Sequence, residues 1–259
     1  FLHIIYSYYF NLYLNIDSYI YLLFVSLFVG IFLIYKKKEE KKITIFEKIF
    51  VVLSGYLIIP ILIATPYYLS IYNITFLDCY FEAISGFTST GFSIFNNIKH
   101  LDQSLILWRS SSQWIGGIYF LFSIIMLIDI FDENLKKSLT NFLTFNTSEI
   151  LKQLFKIVIL YVFLTFFVFI ILKFINVRTF DSFNLSMSII SSGGFLPVND
   201  IGKIINTNLK EIVFSLLMLL SFFSLFLFYN LIFLKKKSIN FFTEDIYLLI
   251  YFISLVFIF

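Results

Sequence analysis

Two short stretches of this chain, Thr88-Ser89-Thr90-Gly91-Phe92 and Ser191-Ser192-Gly193-Gly194-Phe195, combine hydroxyls with glycine and carry no formal charge. Their chemistry is that of oxygen donors. Glycine permits backbone angles that aim successive carbonyls at one axis, and serine and threonine hydroxyls add further oxygens. Such a ring of oxygens can replace the water around a cation without a fixed anionic charge. The stretches are copies. At a constant offset of 103 residues, identities fall at Asn73/Asn176, Asp78/Asp181, Ser85/Ser188, Ser89/Ser192, Gly91/Gly194, Phe92/Phe195, Asn96/Asn199 and Ile98/Ile201.

Other chemistries find little support. Cys79 is the single cysteine, and the two histidines, His3 and His100, are far apart, so a cysteine or histidine metal site is not expected. Near the two stretches there is no histidine and no pair of carboxylates of the kind acid–base catalysis requires, which argues against an enzyme. Ser/Thr/Gly clusters are also ordinary turn material. For a single stretch a plain turn is the better reading; two aligned copies in the same structural context favour an ion-binding loop.

The surrounding chain has to place these loops. Of its 259 residues 60% are hydrophobic, 22% aromatic and only 14% charged, with a mean hydropathy of +0.93. This is the composition of an integral membrane protein. The net charge of +3 resides in loops, so it bears on orientation in the bilayer and not on nucleic acid. The apolar segment 18–35 is long enough to approach the bilayer core of about 30 Å and is expected as a first spanning helix. A second span is expected over 43–64, interrupted late by Pro60, with Tyr67 and Tyr68 at the interface. Further spans are expected over 105–130, 154–172 and 212–234, with Lys156 snorkelling near one end and a last apolar run opening at 246.

Residues 76–87 and 181–190 are too short to cross and should dip in and return. Loop charge agrees with that topology. The lysine-rich stretches at 36–42, 136–137 with Lys152, and 235–237 share one side only if the two short segments re-enter. The fold class is therefore an all-α polytopic membrane protein built from repeated helix, re-entrant pore helix, helix units with extended filter loops. The units divide as 1–42 (N-terminal transmembrane helix and cytoplasmic lysine-rich loop), 43–130 (first repeat), 131–153 (cytoplasmic connection), 154–234 (second repeat) and 235–259 (start of a third). The chain opens at Phe1 and closes at Phe259 inside an apolar run, so it reads as part of something longer.

Several other residues are candidates for supporting roles. Arg109, beside Trp108, is expected as an interfacial anchor in preference to a pore-facing charge. Glu82 either adds negative potential to a pore mouth or caps local amides. Asp78 and Asp181 are expected as N-caps of the two short helices. Gly116-Gly117 is expected to pack helices and not to hinge.

The segment 80–93, which reads YFEAISGFTSTGFS, resembles the first filter of the TrkH/KtrB family of potassium transporters. Leu107-Trp108-Arg109-Ser110 with Gln113-Trp114-Ile115-Gly116-Gly117 resembles the helix that follows it, and Ile190-Ser191-Ser192-Gly193-Gly194-Phe195 the second filter. The resemblance implies a potassium-uptake pore subunit with four such repeats around one pathway, of which this chain carries two. It implies a filter formed by Thr88, Ser89, Thr90, Gly91, Ser191, Ser192, Gly193 and Gly194, which hold potassium as the transported ion, with the central glycine of the second loop either Gly193 or Gly194. No cofactor is implied. The family setting further implies a multi-pass protein of the cell inner (plasma) membrane in contact with lipid. It also implies a homodimer and a cytoplasmic nucleotide-binding regulatory subunit of the TrkA/KtrA type. The competing readings are a non-transporting membrane assembly subunit and an incomplete relic of such a transporter.

Overall fold

The computed structural model describes residues 1–35, 44–127 and 147–222, together with Tyr247, Ile250, Tyr251 and Ser254. Most of the lysine-rich stretches, residues 128–146 of the expected connection and most of the expected third repeat lie outside the described residues. Among the described residues all regular structure is helical. In chain order the helices are α1 (Leu2–Tyr9), α2 (Ile16–Tyr35), α3 (Ile45–Tyr68), α4 (Phe76–Phe87), α5 (Gln103–Leu127), α6 (Thr147–Phe174), α7 (Thr179–Ser191) and α8 (Asn208–Phe222).

Four helical segments are long and apolar enough to cross a membrane: 13–32, which enters α2 through the short turn before it, 45–68, 103–127 and 154–174. The chain is a multi-pass membrane protein. By contrast α4 has 12 residues and α7 has 13, about 18–20 Å of helix against a hydrocarbon core of about 30 Å. Helix α4 packs between α3 and α5, and α7 contacts α5, α6 and α8.

Local sequence explains the boundaries. Helix α3 starts in a capping box, with Thr44 accepting the Glu47 amide and Glu47 accepting the Thr44 amide at 2.7 Å. It then continues through Pro60 and Pro66 to Tyr68, so the interruption expected at Pro60 is absent. Tyr67, expected at the interface, is fully buried in the core instead, while Tyr68 is exposed. The N-cap of α4 is Thr75, whose hydroxyl accepts the Asp78 amide. Asp78 and Asp181 therefore sit inside the first turns of α4 and α7 and are not the caps the sequence suggested. The helices begin earlier than their carboxylates, which still complement the positive helix ends.

Three apolar clusters hold the helices together. Ile63, Tyr67, Ala83, Phe87, Leu105 and Trp108 join α3, α4 and α5. Val168, Leu172, Leu185, Ile189 and Leu217 join α6, α7 and α8. Leu121, Ile125, Ile157, Leu160 and Leu164 join the two groups across α5 and α6. Each repeat thus has a core of its own, and a third core ties them together. The outward phenylalanines of α2, α3 and α6, such as Phe28, Phe50 and Phe163, are exposed, as suits a surface solvated by acyl chains.

Candidate ion-binding loops

The 103-residue repeat persists in the backbone. Asn73 and Asn176 have φ of 50° and 58°, Ser89 and Ser192 of 55° and 53°, and Gly91 and Gly194 of 81° and 78°. Among the described residues only Asn11 shares this left-handed region outside the repeat. Equal sequence offset with equal left-handed geometry means that each short helix ends in the same turn. At that turn the new amides fold back onto the helix end: Ser89 N donates to Gly86 O at 3.0 Å and Thr90 N to Ser85 O at 2.9 Å. In the second loop Ser192 N donates to Ile189 O at 3.0 Å and Gly193 N to Ser188 O at 2.9 Å. Among the described residues no donor reaches the main-chain oxygens of Ser89, Thr90, Gly91, Ser192 or Gly194.

The loops meet at their glycines. A methyl group on Gly91 would fall 2.6 Å from Gly193 O and 3.4 Å from Gly194 Cα. Thr88, Thr90, Ser192 and Gly194 are exposed, and Ser89 and Gly91 are half-buried. Ser191 and Gly193 are buried behind this face. The Ser191 hydroxyl donates to Met187 O at 2.8 Å, and Gly193 O accepts from the Gln113 side chain. Six of the eight predicted residues are therefore on an open face, and two stand behind it. In the first loop the Thr88 hydroxyl donates to Ile84 O at 2.7 Å and meets the Thr90 hydroxyl at 2.7 Å.

Helix α5 supports both loops. Gly116 lies against the Phe87 carbonyl at the end of α4, and Gly117 faces Tyr161 and Ser191 at the end of α7. No side chain fits at Gly116, which makes the pair a packing site. Arg109, expected at the membrane interface, is instead 1% exposed. Its Nε donates to Glu82 Oε1 at 2.7 Å and its Nη2 to Ser93 Oγ at 2.9 Å. Glu82 also accepts from Ser93 Oγ at 3.1 Å and, through Oε2, from Ile94 N at 2.9 Å. The Arg109 guanidinium lies 4.3 Å from the ring centre of Phe195. Arg109 therefore braces the outgoing limb of loop one and stacks on loop two. Asn199 makes a second link, accepting from Ile98 N at 2.7 Å and donating to Asn97 Oδ1 at 2.9 Å.

No family model matches the chain. It is 27% identical over 212 residues to an uncharacterized cation transporter of Methanocaldococcus jannaschii, a match that covers 75% of this chain and 43% of that protein. With the Trk system potassium uptake protein TrkG of Escherichia coli it shares 25% over 220 residues, 81% of this chain and 44% of TrkG. The crystal structure of the potassium transporter TrkH from Vibrio parahaemolyticus superposes with a TM-score of 0.64 at 21% identity, over 85% of this chain and 47% of TrkH. Over the length it spans, the chain is similar to Trk system potassium uptake proteins and shares the fold of TrkH. It spans about half the length of the curated relatives it matches.

Against this TrkH-like frame the residues missed by sequence reasoning are those that hold the loops and not those that line them. Arg109 and Gln113 were visible as a polar run with Ser110, Ser111 and Ser112 inside an otherwise apolar helix, a pattern that marks function in membranes. Nothing in the sequence says which loop each one reaches.

Proposed function

We propose that this chain provides half of the wall of a potassium-uptake pathway, and that Thr88, Ser89, Thr90 and Gly91 with Ser192 and Gly194 supply its oxygens. The observation that carries this reading is the pair Gly91 and Gly194. Both are left-handed and adjacent in space, and among the described residues neither main-chain oxygen has a donor. A partly dehydrated cation is held by such dipoles, and a second ion helps it leave; no covalent step is required. The names of the relatives support potassium as the cargo. Further repeats complete the ring, since this chain spans about half of each relative. The same kinship supports an inner (plasma) membrane location, a homodimer and a TrkA/KtrA-type nucleotide-binding regulator.

The test is Gly91→Ser in the pore protein that carries this segment, expressed in cells lacking other potassium uptake. Discrimination between potassium and sodium should fall while the amount of protein in the membrane holds. Unchanged relative uptake of the two ions would remove the filter role.

A further inference from the structure

Gln113 is completely buried on α5, eighty positions before the loop it touches. Both ends of its side-chain amide are used on that loop. Nε2 donates to Gly193 O, and Oε1 accepts from Phe195 N at 3.2 Å. Gly194 is thus flanked on both sides by residues pinned to one rigid side chain, with its own φ at 78°.

We infer that Gln113 is the positioning residue that selects which oxygens of the second loop face the ion: it draws the Gly193 carbonyl out of the path and presents that of Gly194. The inference rests on the pore reading above and adds an element to it. It also accounts for a difference between the copies. Gly193 occupies the repeat position of Thr90, and a methyl group on Gly193 would collide with the Gln113 amide. Among the described residues no such clamp reaches loop one, which keeps threonine there. It is pinned from within its own repeat, where Ser85 Oγ donates to Phe92 O at 2.6 Å. The counterparts of Arg109 and Gln113 at the same offset are Ile212 and Leu216, which cannot make such bonds. Among the described residues the clamp is therefore particular to α5 and the second loop.

Two measurements on the full-length pore protein test this. In Gln113→Leu, similar in size and unable to hydrogen-bond, the potassium-to-sodium uptake ratio should fall about tenfold or more with membrane abundance retained, the scale of the two buried hydrogen bonds lost. A folded Gln113→Leu protein with the original ratio overturns the inference. Independently of any variant, carbonyl 13C labels at Gly193 and Gly194 can be followed by solid-state NMR as potassium is exchanged for sodium. The Gly194 resonance should shift and the Gly193 resonance should not; a Gly193 shift as large as that of Gly194 overturns the assignment even if Gln113→Leu does not fold. If Gly91→Ser loses discrimination while Gln113→Leu keeps it, the role of Gln113 falls and the pore reading stands. If neither carbonyl responds and Gly91→Ser transports normally, both fall together.

Discussion

Arg109 and Glu82 form an ion pair at 2.7 Å, with side chains 1% and 0% exposed, one from the helix after the first loop and one from the short helix before it. Together with Ser93 and Ile94 they close a hydrogen-bonded ring that fixes the outgoing limb of loop one against α4 and α5. The pair is sealed from water, so its behaviour differs from that of an exposed ion pair.

Removal of one partner leaves the other charge buried and unpaired. Arg109→Met or Glu82→Met alone should each lower stability by about 3–5 kcal/mol, whereas the double replacement should recover much of that loss. Thermal unfolding of the detergent-purified protein measures both. Arg178 and Asp181 are the contrast: Arg178 is 63% exposed, and Arg178→Ala should shift stability by about 1 kcal/mol or less.

The left-handed positions respond to glycine and alanine in opposite senses. Gly194→Ala forces a Cβ into φ of 78° and should be destabilising by about 1–2 kcal/mol. Asn73→Gly and Asn176→Gly, at 50° and 58°, relieve the same strain and should be close to neutral. Comparison of the midpoints of these three variants with the parent in one thermal series reads this directly.

Gly116 and Gly30 separate packing from mere composition. A side chain at Gly116 meets the Phe87 carbonyl, which is main chain and cannot swing aside, so Gly116→Val should separate α4 from α5 and abolish transport. A methyl group added at Gly30 on α2 would meet nothing within 4 Å. Gly30→Ala should leave uptake intact and match or slightly exceed the parent in stability. Uptake and membrane abundance, assayed together, distinguish the two.

Thr75 caps α4, with its hydroxyl accepting from Asp78 N and donating to Asp78 Oδ2 at 2.6 Å. Thr75→Ala should lower stability by about 1 kcal/mol, and Thr75→Ser should restore most of it. The N-cap of α7 is Arg178, which makes no side-chain cap bond, so Arg178→Ser or Arg178→Asp offers a gain at the matching place in the second repeat. Thermal midpoints of the purified variants check both expectations.

The short helices and the glycine turns were legible because they depend on local chemistry. Repeat spacing alone aligns Gly91 with Gly194, and the backbone shows those same two residues in the same left-handed turn. Spans were legible for a similar reason, since apolar length against bilayer thickness is a property of one segment. The burial of Gly193 against Gln113 was not legible, because it depends on a glutamine from another helix, eighty positions away. Nor was the fate of Arg109: the sequence places it beside Trp108 near a helix end, where an interfacial anchor is the ordinary outcome. In the fold Trp108 is buried and donates to Ile63 O at 3.0 Å, while Arg109 turns to Glu82.

The amino-acid sequence by itself determined a membrane protein of helical repeats, the two uncharged hydroxyl-glycine loops, and their equivalence. These follow from hydropathy, segment length and the φ that glycine tolerates, all of which act within a few residues of chain. Only the tertiary structure decided that Arg109, one helical turn from Gln113 on α5, touches both loops while Gln113 holds the second, and that Ser191 and Gly193 stand behind the face their neighbours present. A buried polar group must find its partner wherever packing brings one, and that partner can lie eighty positions away.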